Sequence, residues 1–481
     1  MQLSPVLNIL GLLATILAAA MLIPMFVDLY LGSSDWHIFA LSALLTGFVG
    51  VSIWLATSRR EALDLGLRQA FLLTNGSWVM IGIFGSLPFM FSEIDLSFTD
   101  SVFESISGIT TTGSTVLVEI EKASPGILIW RALLQWLGGV GIVVMAMAVL
   151  PMLSVGGMQL FRTESYERAD KVVPRATQLA GGIGLVYTAL TALWAMMLIF
   201  SGMDIFDAVA HSMTTLATGG YSTRTASVGA FDSVVIEWVI IAGMIVGSLP
   251  FAHYLAMARG GWRGLLHDPQ VRWFLILIVG LVLMLCWHLM QNGLQLGDAI
   301  RQASFNGVSI ITGTGYVSAN FSAWGGFATT ILLIVMFIGG CGGSTTCGIK
   351  VFRLQVLAST VKVQISRLLR PHAVVLAYYN KRPVSGEVMD SVMGFFYLYI
   401  LGFVLIALFL GMTGLDFVTA LSGAATSISN VGPGLGELIG AEGNFSSIPD
   451  SAKWVMSFAM ILGRLEIFTV LVMLAPGFWQ R

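Results

Sequence analysis

The stretch ITTTGSTV, residues 109–116, decides how the chain is read. It combines hydroxyl side chains with one glycine, carries no charge, and lies between long apolar runs. Related stretches recur as TTLATGGYST (214–223), VSIITGTGYVS (308–318) and TSISNVGPGLG (426–436). Counting glycines aligns Gly113, Gly219, Gly313 and Gly432, preceded by Thr112, Thr218, Thr312 and Val431 and separated by 106, 94 and 119 residues. A shared period near 100 residues marks internal repetition. Each glycine also follows a short, moderately apolar segment that begins near an acid, Asp100, Asp207, Asp298 or Asp416. Such segments are too short to span a bilayer but suit a re-entrant helix.

The surroundings are those of an integral membrane protein. Of 481 residues, 56% are hydrophobic and 10% charged, and mean hydropathy is +0.86, outside the range of soluble domains. Apolar runs near 6–27, 37–57, 69–92, 126–153, 178–203, 233–258, 273–296, 325–340, 391–412 and 454–477 give about ten full crossings. The first run lacks a basic leader and a small-residue cleavage site, so it reads as a retained helix. When the spans alternate, 18 of the 24 Lys and Arg fall on one side, among them Arg59, Arg60, Arg162, Arg168, Lys171, Arg175, Arg259, Arg263 and Arg481, which the positive-inside rule makes cytoplasmic. The other side keeps Lys122, Arg131, Arg224, Arg301 and Lys453 among many acids, and should attract cations. Cys286, Cys341 and Cys347 form no disulfide framework or CxxC pair, and the six histidines form no metal-binding pattern. No nucleophile–base constellation appears, so an enzyme is not expected.

Each repeat therefore reads span, half-helix, glycine loop, span. All four loops fall on the outer side in the same orientation, and four parallel units surround one axis. Non-helical backbone at membrane depth must be buried in protein or line a watery cavity. Here it would line a pore, with backbone carbonyls replacing water around a cation and half-helix C-termini aimed at the same point. The expected fold is all-α and polytopic: a two-helix N-terminal domain (1–64), then pore repeats at 65–162, 163–265, 266–371 and 372–481.

These loops, with QWLGGVGI (135–142), GGCGGSTTCGIK (339–350), GRLEIFTVL (463–471) and LFRTES (160–165), resemble the Trk/Ktr/HKT superfamily of potassium transporters, most closely its bacterial TrkH type. The resemblance implies a pseudo-tetrameric pore whose potassium filter uses the carbonyls of Thr111, Thr112 and Gly113; Ala217, Thr218 and Gly219; Ile311, Thr312 and Gly313; and Asn430, Val431 and Gly432. Glycine at all four positions resembles the potassium-preferring members. Below the filter it implies a gating loop carrying Gly339, Gly340, Gly342, Gly343 and Gly348, and a pore arginine, Arg464, that repels cations. It further implies a homodimer in the bacterial inner membrane, filter loops toward the periplasm, and a cytosolic TrkA-type nucleotide-binding ring. The only ion expected on this chain is potassium in the filter. No covalent cofactor is expected, nucleotide belongs to the partner, and no nucleic acid is expected.

Alternatives remain at the level of single residues. Gly343-x4-Gly348 has the glycine spacing of a phosphate-binding loop, but Ile349 intervenes before Lys350 and the setting is a membrane span. These glycines could instead serve close helix packing. Arg464 could bond Glu466 or backbone carbonyls rather than face a pore, although residues two apart on a helix point apart. Arg131 reads as a pore-side charge or an interfacial anchor, and His211 as packing. Voltage-driven potassium uptake is the expected function. A proton- or sodium-coupled symporter is the alternative, which parallel repeats and few buried span acids disfavour.

Overall fold

In the computed structural model, residues 3–58, 66–148, 156–157, 176–258, 260–261 and 263–480 are described. LFRTES and the cations Arg59, Arg60, Arg162, Arg168, Lys171, Arg175, Arg259 and Arg481 lie outside the described residues, as does the Arg263 side chain.

The molecule is helical, with one two-residue hairpin pairing Tyr378–Tyr379 with Arg382–Pro383. Among the described residues, seven helices are long and apolar enough to cross a membrane: Ser4–Leu31, Trp36–Thr57, Leu67–Phe91, Pro125–Met147, Ala180–Phe200, Pro269–Gln291 and Gly386–Met412. Two bent pairs raise the number to nine. The apolar run expected at 325–340 holds only a ten-residue helix, Gly326–Val335, followed by irregular chain until Val351–Leu369 begins.

Four shorter helices follow first spans: Phe98–Ile109, Ile205–Leu216, Leu296–Ile311 and Phe417–Ser429. Acids mark their starts. Asp204 and Asp416 cap the second and fourth through their side chains, and Asp100, Asp207 and Asp298 lie in the first turns of the first, second and third. Each carboxylate opposes the positive end of a helix dipole and leaves the negative end pointing inward. Their second halves are buried except at the half-buried Met213.

Second spans meet these short helices through glycines. A methyl group built on Gly138 would lie 1.9 Å from the carbonyl oxygen of Ile109, one on Gly247 2.8 Å from that of Leu216, and one on Gly463 2.0 Å from that of Ile428. Only glycine allows backbones this close. The second span of the first repeat, Pro125–Ala148, runs unbroken. The others do not. Val234–Gly247 turns by 94° into Phe251–Ala258 across Pro250, and Asp450–Arg464 turns by 113° into Ile467–Leu474. Proline explains the first break; at the second, Glu466 sits at φ +64°.

The N-terminal hairpin docks on the first repeat. Buried Asp28 accepts a 2.6 Å hydrogen bond from the backbone N–H of Gly126, at the start of Pro125–Ala148, where a carboxylate suits the helix N-terminus.

Candidate functional site: a ring of four glycine loops

The C-termini of the four short helices run into loops that close on one another. A methyl group on Gly113 would sit 2.2 Å from the Gly219 carbonyl oxygen; on Gly220, 1.8 Å from that of Thr314; on Gly315, 2.1 Å from that of Val431; and on Gly432, 2.8 Å from that of Thr112. Loop 1 therefore abuts loop 2, loop 2 abuts loop 3, loop 3 abuts loop 4, and loop 4 returns to loop 1.

This closure fixes which residues correspond. The backbone N–H groups of Thr112, Gly219, Thr314 and Val431 donate to the carbonyls of Ser107, Thr214, Ser309 and Thr426 at 2.9, 2.9, 2.9 and 3.1 Å, always five residues back. Left-handed φ values alternate in step at Thr111 and Gly113, Thr218 and Gly220, Gly313 and Gly315, and Asn430 and Gly432. Gly220 and Gly315, rather than Gly219 and Gly313, are the counterparts of Gly113 and Gly432. The alignment by counting glycines is thus corrected by one residue in loop 2 and two in loop 3. Ile311 is the last helical residue of its segment, and Ala217 and Thr312 are its right-handed caps in their loops, so these three stand at the places of Ile109 and Thr110. The corresponding sets are 111–113, 218–220, 313–315 and 430–432.

In a strand, successive carbonyls point to opposite sides. Left-handed residues at every second position break that strand pattern in all four loops. A left-handed non-glycine residue is strained, and here Thr111, Thr218 and Asn430 occupy that place in three loops. Side chains offset the cost. Thr110 and Thr112 hydroxyls meet at 2.7 Å, as do those of Thr312 and Thr314, and the Asn430 amide donates to the Thr112 hydroxyl and the Met460 carbonyl.

Behind loops 1 and 2 stands a charged scaffold. Arg131, 1% exposed, pairs at 2.8 Å with Glu104, 0% exposed. The same guanidinium donates to the Ser222 carbonyl and the Thr115 hydroxyl and lies 4.0 Å above the Tyr221 ring. Glu104 also accepts from the backbone N–H of Val116 and the Thr115 hydroxyl. Arg131 is therefore neither an interfacial anchor nor a free pore charge, because its partner 27 residues earlier buries it. One turn further, Gln135 holds Gly219 and Tyr221. His211 bridges the Asp207 carbonyl and the Ser222 hydroxyl, a packing role. The other cations of this side also hold carboxylates: Lys122 with Glu119, Arg224 with Asp207, Arg301 with Glu237, and Lys453 with Asp100. With its cations neutralised, this face takes its sign from the remaining acids.

Beneath the ring, the GGCGGSTTCGIK segment forms a loop sewn into its neighbours. Gly339 donates to the Ile349 carbonyl, Gly340 to the Thr346 hydroxyl and Gly342 to the Gln270 side chain, while the Gly343 carbonyl accepts from Phe251. Gly343 and Gly348 are left-handed. Thr345 reaches loop 2, its hydroxyl 3.0 Å from that of Thr218. Buried Arg464 donates to the Thr345 carbonyl, the Cys347 sulfur and, across the gap, the Gly138 carbonyl, at 2.9, 2.8 and 2.8 Å. Glu466 pairs instead with Arg353 at 2.6 Å. Arg464 thus pins this loop to the second span of the first repeat.

Long apolar spans around one ring of inward-packed backbone define a polytopic membrane transport protein. The sequence profile of the TrkH family, described as cation transport protein, matches residues 36–480, and the chain belongs to that family. Among its relatives, the Trk system potassium uptake protein TrkI of Halomonas elongata is 43% identical over 479 residues, covering 99% of this chain and 97% of that one. The Trk system potassium uptake protein TrkH of Escherichia coli is 37% identical over 486 residues, covering 98% and 99%. The crystal structure of the potassium transporter TrkH from Vibrio parahaemolyticus superimposes with a TM-score of 0.92 at 36% identity and full coverage of both chains.

Proposed function

We propose that this chain takes up potassium across the bacterial inner membrane through a pore at the four-loop ring. The observation that carries the reading is the closure of the loops through carbonyls 112, 219, 314 and 431. Oxygens of the sets 111–113, 218–220, 313–315 and 430–432 replace the hydration shell of potassium, assisted by four helix C-termini. The four repeats are 65–162, 163–265, 266–371 and 372–481, with 1–64 a supporting hairpin. Uptake needs no coupled ion, since the membrane potential supplies about 2.3 kcal/mol per charge per 100 mV.

Residues 339–348 form the gate and Arg464 its latch and its electrostatic barrier, a buried cation on the conduction path. The chain works as a homodimer with the loops facing the periplasm, and a cytosolic TrkA-type nucleotide-binding ring acts on the opposite face. That ring carries the nucleotide; the filter ion is the cargo. The test is flux in liposomes under an imposed voltage with potassium or sodium gradients, wild type against Gly113→Ser. Voltage-driven potassium flux whose preference over sodium collapses in Gly113→Ser is the expected result. Flux that needs a proton or sodium gradient and ignores the substitution would contradict it.

A further inference from the structure

We propose that Gln135 is a selectivity-determining residue that acts from behind the ring by holding the Gly219 carbonyl. This inference rests on the potassium pore proposed above and adds a residue to it.

Gln135 is fully buried on the second span of the first repeat, yet both ends of its carboxamide are spent on the second loop. Its Nε2 donates to the Gly219 carbonyl at 2.6 Å, and its Oε1 accepts from the backbone N–H of Tyr221 at 3.0 Å. The two bonds together fix which end is nitrogen and which is oxygen. Arg131, one turn earlier on the same helix face, holds the Ser222 carbonyl at 2.9 Å. Residues 219–222 are thus gripped at three points by one face of a neighbouring repeat.

Gly219 occupies the place of Thr112, Thr314 and Val431 in the other loops, and among the described residues those three carbonyls accept no protein hydrogen bond. The Gly219 oxygen alone among the four has its position and electron density set by an amide donor. Gln135 is also wedged between loops. A methyl group on Gly219 would lie 2.4 Å from its Cδ, and one on Gly113 3.7 Å from its Nε2 while meeting the same Gly219 oxygen at 2.2 Å. Any substitution that enlarges Gly113 therefore pushes on the oxygen that Gln135 holds. Discrimination between potassium and the smaller sodium depends on the spacing and field strength of the ring carbonyls, and this bond acts on both at the Gly219 oxygen.

The test uses the purified full chain in liposomes, reading the potassium-to-sodium permeability ratio from reversal potentials for wild type, Gln135→Met and Gln135→Glu between about pH 5.5 and about pH 8.5, where a buried carboxyl titrates. Gln135→Met removes donor and acceptor at similar volume. Its ratio falls about tenfold, the size of one lost buried hydrogen bond, while potassium conductance persists. Gln135→Glu keeps the shape. When protonated, the introduced carboxyl donates to Gly219 and accepts from Tyr221 as the amide does, so its ratio is that of wild type at the acid end. When ionised it sets a second acceptor against the Gly219 oxygen, so the ratio falls as pH rises. The groups facing this position, Arg131, Glu104, Tyr221 and His211, are present in all three proteins, and the wild-type profile is the baseline. Wild-type ratios in both variants at every pH, which a merely space-filling residue would give, would overturn the inference, as would an unchanged ratio in Gln135→Met alone. Absence of voltage-driven potassium flux in the wild type would instead overturn the pore reading beneath it.

Discussion

The two halves of the ring share a backbone and differ in what holds it. Loops 1 and 2 lean on a charged and amide scaffold, Glu104, Arg131 and Gln135. Loops 3 and 4 lean on neutral groups: the Ser309 hydroxyl on the Tyr316 carbonyl, Asn306 on Ser318, the Thr426 hydroxyl on the Gly432 N–H, and Ser422 on Leu435. The same i to i−5 bond and the same alternation of handedness nevertheless appear in all four. Backbone conformation, rather than any side chain, is what the repeats have in common. The halves should therefore respond alike when backbone is perturbed and differently when supports are removed.

The sharpest way to break that comparison is to add a methyl group where the loops touch. Gly220→Ala and Gly315→Ala strike neighbouring carbonyls at 1.8 and 2.1 Å from left-handed positions, an overlap costing about 4 kcal/mol or more. Potassium uptake by a transport-deficient host should be lost equally in both. Gly313→Ala meets nothing nearer than 3.4 Å and bears only the left-handed penalty of about 1–2 kcal/mol, so it should retain measurable uptake. Equal loss in Gly313→Ala and Gly315→Ala would undo the register assigned to loop 3.

Next come the supports. Arg131→Met strands the buried Glu104 carboxylate and should destabilise the protein by about 3–5 kcal/mol, read as a lowered Tm in detergent, with Arg131→Met combined with Glu104→Leu recovering most of it. On the neutral side, Ser309→Ala removes one hydroxyl bond and should cost about 1 kcal/mol. If the two single substitutions cost the same, the contrast between the halves is only one of composition.

The smallest effect is at a helix start. Asp416 accepts from the N–H groups of Val418 and Thr419, and these bonds, those of Thr419 foremost, hold its carboxyl below the ordinary aspartate range. A carboxylate depressed in the folded state contributes stability above its unfolded pKa and loses it as pH falls through the folded value. Asp416→Ala should lower stability by about 1 kcal/mol at neutral pH, and the gap to wild type should close as acid protonates the wild-type cap.

Much of this was legible in the chain. Glycine and hydroxyl residues embedded between apolar spans announced the four loops, and first-turn acids announced the short helices. The register was not legible by counting, because loop 3 spends a glycine, Gly313, on the left-handed position that Thr111, Thr218 and Asn430 fill elsewhere. Gly313 and Gly315 are both left-handed, and only the contact of Gly315 with the Val431 carbonyl and the Thr314-to-Ser309 bond tell them apart. The run 233–258 reads as one crossing although Pro250 stands at the break after Gly247, and nothing local announces the turn at Glu466, whose ion pair with Arg353 forms between distant segments. Arg131 was visible as a charge at the start of a span, but its partner Glu104 was not, because their pairing is tertiary. Gln135 was visible only as part of a motif, and its bond to Gly219 emerges only from the packed repeats.

The most direct test of the central claim is anomalous diffraction from crystals of the full chain soaked with rubidium, which stands in for potassium. Anomalous density is expected on the axis of the ring, within coordination distance of carbonyls from sets 111–113, 218–220, 313–315 and 430–432. Density confined to the acidic surface, with none inside the ring, would contradict it.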